Sequence, residues 1–322
     1  MNLLDRFYRP ACEKKLHYGS FGGMGQFTRV YSGRPEEYFS EFSLFQGSDG
    51  YHLFYIKGDM KIAAGRFNMR AEQTFGHAVS KDLRTWQPRP DFLRAGAHAW
   101  DRTTIQAPRV VQQGNAYVCL YNGVGPQSES YLCAAVSTDL DHWTEHPANP
   151  LYTPDPAWSG WRSDERHRCG DPDVLKVGNE YVVYFTAERQ NKRCVGCACS
   201  EDLIHWHDRG PALEVPCGLL QCRDCESPVA AERDGLYYLF YLNMGITWLA
   251  VSENPYRFET FMPWANVLGA DVRRFGDDWY VASLPHAGLA DPLKTLYHPD
   301  HKGLYLARLE WEDGFPFIRK LE

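Results

Sequence analysis

Three carboxylic acids stand ahead of similar apolar runs at distant points of the sequence. They are Glu41 in "SEFSLF", Asp171 in "CGDPDV" and Glu226 in "CESPVA". Carboxyl groups that lie close together raise one another's pKa, so one can stay protonated while another is ionised. Cleavage of a glycosidic bond needs both forms, because an acid protonates the leaving oxygen while a carboxylate attacks the sugar or activates water. A lone acid before proline is more often a strand cap, but three acids at similar places favour a site.

The acids belong to copies of one repeated unit. An apolar run, a Gly, Asp or Asn turn and an aromatic-led strand recur in Phe42–Ile56, Pro108–Gly123, Gly170–Ala187, Pro228–Leu242 and, more weakly, Asp271–Leu284. The aromatic residues that lead the second strands are 66, 64, 56 and 42 residues apart: Tyr51, Tyr117, Tyr181, Tyr237 and Trp279. Motifs in a fixed order at such a period are typical of repeat folds, whose natural unit here is the four-stranded blade. The sequence predicts an all-β fold, a five-bladed β-propeller.

A second signature follows the hairpins. "SKDLRTW", "STDLDHW" and "SEDLIHW" share one pattern, with "SENPYRF" as a degenerate fourth copy. Their tryptophans, Trp86, Trp143 and Trp206, recur at one place in each blade and are predicted to pack between blades. We expect one catalytic domain over residues 1–322, with residues 1–39 as a lead-in and residues 303–322 as a closing strand and tail.

The predicted fold would bring the acids together. The first strand of each blade lines the central channel of a propeller, so the residues that lead into these strands meet at one mouth of the channel. Glu41 and Asp171 each lie ten residues before the hairpin tyrosine of their blade. The second blade has Ala107 at that place, so the acids are not a general feature of the repeat. We expect Glu41, Asp171 and Glu226 to occupy equivalent positions around one pocket.

Four stretches resemble the five-bladed propeller glycoside hydrolases of families 32, 43 and their relatives. They are "DPDVLKVGNEYVVYFTA", "ESPVAAERDGLYYLFY", the S-x-D-L-x-H-W repeats and "DPAWSGWRSDERHRCGDP", and the resemblance covers nearly all of the chain from about Phe39 onward. It implies that Asp171 matches the aspartate of the Arg-Asp-Pro motif, which stabilises the transition state. It also implies that Glu226 matches the general acid of the Glu-Ser/Gly/Cys-Pro motif, and that Glu41 stands at the nucleophile or base.

Two positions depart from the pattern of these families. Their nucleophile or base is an aspartate, whereas this chain has Glu41, and catalytic groups tolerate errors of only about half an ångström. The arginine expected before Asp171 is Gly170, so we expect substrate anchoring to fall to Arg166 or Arg168. The first departure leaves open a catalytically inactive, sugar-binding propeller.

Aromatic and polar side chains near the predicted inner strands are candidates for substrate binding. Sugars dock on aromatic faces, and polar groups bind their hydroxyls. Trp100 precedes the inner strand of the second blade, with Asp101 and Gln106 close behind it. Trp158 and Trp161 lie ahead of the third blade.

A basic cluster precedes the second acid. It consists of Arg162, Arg166, His167 and Arg168. Such a cluster is either a solvated loop or an anion site, because arginine forks bind phosphate and carboxylate at two points. An anion site would suit an acidic or phosphorylated sugar, or a phosphorylase that cleaves glycosides with phosphate in place of water.

Cysteines and composition limit the partners. Cys222 and Cys225 have the spacing of zinc ligands, but a lone pair is weak evidence, and we predict neither metal nor cofactor. The net charge of −7 argues against a nucleic-acid partner and suits a neutral carbohydrate. No apolar run approaches the roughly 18 residues of a membrane span, so no membrane partner is expected. The N-terminal "MNLLDRFYRPACEKK" lacks a signal-peptide core, which predicts a cytoplasmic location.

These observations together predict a glycoside hydrolase. The expected substrate is a furanoside of arabinose or fructose, or a short xylose- or galactose-type glycan. Glu226 would be the general acid, Asp171 would orient and tune it, and Glu41 would be the base or nucleophile. Retention or inversion stays open, because it depends on the distance between Glu41 and Glu226.

Overall fold

The computed structural model describes residues 23–64, 68–161, 168–189, 192–214, 225–285 and 302–321 of the chain. Within these ranges the chain forms five antiparallel sheets and two short α-helices. The innermost strand of each sheet contacts the innermost strands of both neighbouring sheets, so the sheets close into a ring. The predicted five-bladed β-propeller is confirmed.

Each blade is built mainly from consecutive strands, numbered along the chain. Strand β1 (Thr28–Tyr31) belongs to blade 5. Blade 1 contains β2 (Glu37–Gly47), β3 (Gly50–Asp59), β4 (Glu72–Ser80) and β5 (Trp86–Arg94). Blade 2 contains β6 (Thr104–Gln113), β7 (Ala116–Val124), β8 (Ser130–Ser137) and β9 (Thr144–Glu145). Blade 3 contains β10 (Cys169–Val177), β11 (Glu180–Arg189), β12 (Lys192–Ser200) and β13 (His207–Leu213).

The last two blades follow the same order. Blade 4 contains β14 (Glu226–Arg233), β15 (Leu236–Asn243), β16 (Ile246–Ser252) and β17 (Thr260–Ala265). Blade 5 contains β18 (Leu268–Phe275), β19 (Asp278–Leu284), β20 (Leu304–Glu312), β21 (Phe315–Arg319) and β1. The helices are α1 (Met60–Ala63) and α2 (Pro156–Ser159), and single 3₁₀ turns span Met24–Gln26 and Met69–Ala71.

Blade 5 joins the two ends of the described chain. Strand β20 pairs with β1 through Leu306 and Thr28, and with β21 through Arg308 and Arg319. The closing strand expected within residues 303–322 is β20, which begins at Leu304 and belongs to blade 5. Pairing of sequence-distant strands in one blade closes a propeller without leaving a long open edge.

The repeated tryptophans pack between blades, as predicted. Trp143 of blade 2 lies 5.8 Å from Phe54 and 5.4 Å from Phe92 of blade 1, measured between ring centroids. Trp206 of blade 3 joins an apolar cluster that includes Val118 of blade 2. Each indole of the motif also donates a hydrogen bond to the carbonyl of the leucine three residues earlier. In blades 1 to 3 the motif tryptophan therefore fixes a tight turn, and Trp143 and Trp206 also pack against the preceding blade.

Four charged side chains tie the inner strands together inside the channel, and we call them the channel layer. They are Arg109 of β6, Asp173 of β10, and Asp271 and Arg273 of β18. Asp173 Oδ1 lies 2.8 Å from Arg109 Nε and 2.7 Å from Arg273 Nη2, and Asp271 Oδ1 lies 2.8 Å from each arginine. The second oxygens of the two aspartates accept backbone amides of β14 at 2.6 Å and β2 at 2.9 Å. All five blades are joined in this layer.

Candidate active site

A cavity of about 570 Å³ opens at one end of the channel. Residues near the starts of all five inner strands line it, and among them are Glu41, Gln106, Asp171 and Glu226. Two members of the channel layer form part of its wall. The structure therefore brings together the three acids that the sequence singled out.

A β-bulge near the start of each inner strand sets the direction of these side chains. In all five strands the pairing with the next strand slips by one residue at this point. The bulge contains Glu41 in β2, Ala107 in β6, Asp171 in β10 and Ser227 in β14, and in the last three residues φ lies between 51° and 53°. A bulge takes a residue out of the ladder and re-aims its side chain.

The expected equivalence of the three acids holds for Glu41 and Asp171 but is wrong for Glu226. Ser227 occupies the position of Asp171 in β14, while Glu226 lies one residue earlier and pairs with Leu242. The physical reason is the bulge itself, which stands directly before the proline in both strands, whereas Glu226 stands two residues before its proline. Glu226 therefore has neighbours different from those of Glu41.

Asp171 is held in place by side chains of two blades. Its backbone amide donates to Asn122 Oδ1 of blade 2 at 2.7 Å. Thr186 Oγ1 of its own blade donates to Asp171 Oδ2 at 2.7 Å, and itself accepts the amide of Ser227 at 3.1 Å. The other oxygen, Oδ1, is shielded from solvent and accepts no hydrogen bond from the described residues. One oxygen is thus fixed, and the other remains for a ligand or a proton.

Glu41 lies opposite Asp171 and holds a proton more firmly than an ordinary glutamate. The residue as a whole is half-buried, but its Oε2 is shielded from solvent and accepts no hydrogen bond from the part of the chain described. Burial raises the pKa of Glu41 well above its usual value, repulsion by Asp171 and Glu72 raises it further, and Arg168 opposes them more weakly. Once protonated, Glu41 is placed to donate to Asp171.

Glu226 has the opposite surroundings, because two guanidinium groups approach it. Its Oε2 lies 2.5 Å from Arg193 Nη1 and 3.7 Å from Arg168 Nη1. Arg168 also lies 3.6 Å from Asp171 Oδ1. Burial alone would lower the pKa of Arg168, but the charges of Asp171, Glu226 and Glu41 outweigh it and raise that pKa. Arg168 is therefore a fixed cation between two of the acids.

Arg168 stands next to the site of the missing family arginine. A Cβ atom built on Gly170 would lie 3.2 Å from Arg168 Nε, so the guanidinium occupies space beside that glycine. Arg168 Nη2 lies 3.6 Å from Asp171 Oδ1, and its role in substrate anchoring remains a prediction. The other candidate, Arg166, lies outside the described residues, as do Arg162 and His167.

Two predicted substrate-binding residues lie away from the cavity wall. The ring of Trp100 stacks on His98 with centroids 4.8 Å apart and packs against Gly123. Asp101 is fully buried and accepts the backbone amide of His98 at 2.7 Å. Neither is among the described residues that line the cavity. Both residues stabilise the loop that precedes β6. Asp101 accepts an amide three residues earlier, which folds the loop back before the chain reaches the bulge of β6.

The tryptophans ahead of blade 3 also face other partners. Trp158 Nε1 donates to Asp208 at 2.9 Å. Trp161 lies edge-on to Tyr131 at 5.3 Å between centroids, and it too is absent from the described cavity wall. Of the predicted substrate-binding residues within the described ranges, Gln106 and Arg168 line the cavity.

Several side chains at the site carry no motif in the sequence. Arg193 reaches Glu226 from β12, Thr186 reaches Asp171 from β11, and Asn122 reaches it from β7. Glu72, the first residue of β4, contributes to the charge around Glu41. These contacts depend on how strands pair within a blade and on how the blades pack together. From the hairpins in the sequence, only the pairing of each second strand with its first strand could be counted.

The described residues contain no cluster of three or more potential metal ligands. Cys169 is a buried free thiol, and burial raises its pKa well above its usual value. Cys225 is also buried. Cys222, the other half of the zinc-like pair, lies outside the described residues. No helix in the described ranges is long and apolar enough to cross a membrane.

The fold of this chain is similar to those of several solved enzymes. A complex of the Bombyx mori GH32 β-fructofuranosidase with sucrose has a TM-score of 0.70 at 16% identity, covering 100% of this chain and 70% of that one. The GH43_1 enzyme from Xanthomonas citri with xylotriose gives 0.67 at 13% identity, covering 92% of each chain. Fructan 1-exohydrolase IIa from Cichorium intybus gives 0.68 at 16% identity, covering 92% of this chain and 61% of that one.

The match in sequence identifies the family of the chain more specifically than these similarities in fold. No curated protein matches the chain. Residues 42–225, more than half of its length, match the family described as the glycosyl hydrolases family 32 N-terminal domain. The matched segment begins one residue after Glu41 and ends one residue before Glu226, so it spans blades 1 to 3. The chain therefore belongs to the glycosyl hydrolases of family 32 and is a glycosidase built on a five-bladed β-propeller.

Proposed function

We propose that the protein hydrolyses a furanoside bond in a short, neutral glycan, with fructose or arabinose as the favoured sugar. Glu226 is the general acid, Asp171 stabilises the positive charge that develops on the sugar, and Glu41 is the base or nucleophile. The observation that carries the proposal is the convergence of these three acids in one cavity with two distinct electrostatic environments. Glycosidases need two carboxyl groups in different protonation states.

The position of Asp171 supports its role. Thr186 fixes one carboxylate oxygen at 2.7 Å, and the free oxygen, Oδ1, is not saturated by donors among the described residues. A sugar ring in the cavity would meet this oxygen as an acceptor for a hydroxyl group and as a negative charge near the anomeric carbon. Negative charge placed where positive charge develops stabilises an oxocarbenium-like transition state.

The protons must be redistributed before this reaction proceeds. In the ligand-free arrangement Glu41 favours the protonated form, whereas Arg193 and Arg168 stabilise negative charge on Glu226. The reaction requires the reverse state, with a proton on Glu226 and an ionised Glu41. A leaving-group oxygen that enters between Arg193 and Glu226 would separate that ion pair and allow Glu226 to hold the proton. Substrate binding would thus create the reactive state.

The cavity and the relatives support a short substrate. A volume of about 570 Å³ is ordinary for a small-molecule site, and the channel layer bounds the cavity on one side. Such a pocket suits removal of a terminal sugar. The names of similar structures mention sucrose, fructan and xylotriose, which supports a neutral glycan, and the net charge of −7 points the same way.

Hydrolysis assays on a sugar panel test the proposal. Wild-type protein and Glu226→Gln are incubated with aryl furanosides and pyranosides, sucrose, and arabinan and fructan oligosaccharides, each with and without phosphate. The matched control is Glu310→Gln, which alters an exposed glutamate paired with Arg319. We expect furanoside hydrolysis by wild type and control, and a loss in kcat of about 10²–10⁴ for Glu226→Gln, the usual effect of removing a general acid.

The alternatives give different results in the same assay. Sugar release that requires phosphate would replace hydrolysis with phosphorolysis. The ion pairs that occupy Arg168 and Arg193 do not favour that outcome. Oligosaccharide binding without release by any protein would make the propeller a sugar-binding module and point to Glu41 as the cause.

A further inference from the structure

A fourth carboxyl group, that of Glu72, lies behind the cavity between blades 1 and 2. Glu72 begins β4 and has no exposed surface. Its Oε1 accepts the hydroxyl of Tyr38 at 3.0 Å, and its Oε2 accepts Gln106 Nε2 at 3.4 Å. Tyr38 comes from the inner strand of blade 1, while Gln106 comes from that of blade 2 and lines the cavity. Glu72 therefore connects the strand of Glu41 with a side chain that a substrate would touch.

Glu72 is buried among neutral donors. Burial raises its pKa to about 7, although the donors Tyr38, Gln106 and Ser40 favour the ionised form. A second buried glutamate of blade 1, Glu37, differs in having Lys57 at 3.6 Å. A buried carboxyl without a cation costs free energy unless its hydrogen bonds are satisfied. Among the described residues Glu72 has these hydrogen bonds but no ion pair. Its ionised form therefore costs folding free energy, so stability alone does not account for a glutamate at this position.

The charge of Glu72 acts on Glu41. After burial and repulsion by Asp171, the repulsion by Glu72 is the third influence that raises the pKa of Glu41, and Arg168 opposes all three. Ser40, the residue before Glu41, also hydrogen-bonds to Glu72. Glu72 is thus linked to the proposed base both through space and through its neighbour in β2.

The hydrogen bond to Gln106 fixes an amide at the cavity wall. A side-chain amide has one donor end and one acceptor end. With Nε2 of Gln106 directed at Glu72, its oxygen remains for the cavity. That oxygen is an acceptor for a sugar hydroxyl. If the amide turned over, two oxygens would face each other at Glu72. The ionised carboxylate disfavours that orientation, so the Gln106 amide is held most firmly above pH 7, where Glu72 is ionised.

We propose that Glu72 is a positioning residue of this active site, which orients the Gln106 amide for a sugar hydroxyl and keeps the proton on Glu41 until substrate binds. This inference rests on the proposed hydrolysis, in which Glu41 must lose its proton to act. Glu72 itself touches neither the substrate nor the reacting atoms.

The test compares two isosteric variants of buried glutamates in blade 1. Glu72→Gln removes the charge and keeps an oxygen for Tyr38, while Glu37→Gln is the control. The readouts are kcat and KM from pH 4 to 9 on a substrate of the wild type. Without the repulsion, Glu41 ionises more easily. Because the reactive state is the reverse of the free-enzyme state, the pKa of Glu41 sets the alkaline limb of kcat/KM, and we expect that limb to move to lower pH. We also expect KM to rise roughly threefold to tenfold, because the Gln106 amide loses its fixed orientation.

The control keeps the alkaline limb at its wild-type pH. A Glu72→Gln protein that is folded, as judged by its melting curve, and has an unmoved alkaline limb would overturn the inference. If Glu72→Gln does not fold, Tyr38→Phe replaces it. That variant removes a donor that favours ionised Glu72, and it should move the limb in the same direction by less; an unmoved limb again overturns the inference.

Failure of the proposed function is separable from failure of this inference. If the wild type cleaves no glycoside, the infrared carbonyl band of protonated carboxylic acids still reports on Glu41, and its loss in Glu41→Gln identifies it. This band should titrate at lower pH in Glu72→Gln than in the wild type. A band that titrates at the same pH in both would contradict the role of Glu72 whatever the substrate.

Discussion

Two aspartates two residues apart on one strand have opposite surroundings. Asp173, in the channel layer, is fully buried and is bound by two arginines and a backbone amide. Burial opposes its ionisation, but Arg109 and Arg273 overcome that effect and lower its pKa. Asp171, in the cavity, has one fixed oxygen and one that accepts no hydrogen bond from the described residues. Among the described residues, the cation nearest to it is Arg168, 3.6 Å away.

The difference indicates how one residue type serves either structure or chemistry. A buried carboxylate with all its contacts made is stable as an ion and keeps its protonation state. A carboxylate with one oxygen left without a contact can still gain binding free energy from a ligand. The bulge between Gly170 and Asp173 separates the two cases, because it turns Asp171 out of the ladder while Asp173 stays within it.

The largest expected effect is on stability, from removing a cation of the channel layer. Arg109→Met leaves two buried aspartates with one arginine, so we expect a loss of about 3–5 kcal/mol in the free energy of unfolding. Denaturant titration measures it. The control Arg308→Met breaks an exposed pair with Asp278 and should cost less than about 1 kcal/mol. Equal losses of unfolding free energy in the two variants would show that the channel layer does not stabilise the fold.

The second prediction concerns the pH dependence of stability near the cavity. Burial raises the pKa of Glu72 from its ordinary value of 4.5 to about 7 in the folded protein, so folding takes up a proton between these values. Its contribution is therefore complete at low pH and is lost as pH rises through about 7, amounting to about 3 kcal/mol. Relative to wild type, Glu72→Gln should gain stability between pH 5 and pH 8. Unfolding titrations at both pH values measure this gain, and a constant difference would refute it.

The smallest expected effect is at the loop before β6. Trp100→Phe loses packing against Gly123 and His98, which should cost about 1 kcal/mol of stability. Because the ring lies away from the cavity wall, KM should stay within about twofold of the wild type, a difference of less than about 0.5 kcal/mol. Steady-state kinetics and a melting curve suffice. A tenfold rise in KM would show that Trp100 binds substrate, as its position in the sequence predicted.

The fold was predictable because its evidence is repeated in the sequence. Five hairpins and three S-x-D-L-x-x-W motifs mark repeats of one four-stranded unit. Counting back from the tyrosines placed Glu41 and Asp171 at equivalent positions. The same count from Tyr237 reaches Ser227, one residue after Glu226, so the count already placed Glu226 outside the equivalent position, and the structure has the bulge at Ser227.

The rest of the site was not predictable, because it depends on contacts between blades. Arg193 meets Glu226 from another blade, and Glu72 meets Gln106 across the boundary of blades 1 and 2. No local pattern marks either residue. Trp100 and Asp101 were misplaced for a related reason: proximity to an inner strand in sequence does not aim a side chain at the cavity when a loop folds back first.

The most direct measurement compares Asp171→Asn with Asp173→Asn for turnover and stability on a glycoside that the wild type hydrolyses. Asp171→Asn should lose about 10²–10³ in kcat, the usual effect of removing a group that stabilises transition-state charge, and keep its unfolding free energy within about 1 kcal/mol. Asp173→Asn should lose about 3 kcal/mol of stability, and its folded fraction should retain kcat within about tenfold. An Asp171→Asn protein with nearly wild-type kcat would contradict the assignment of this cavity as the active site.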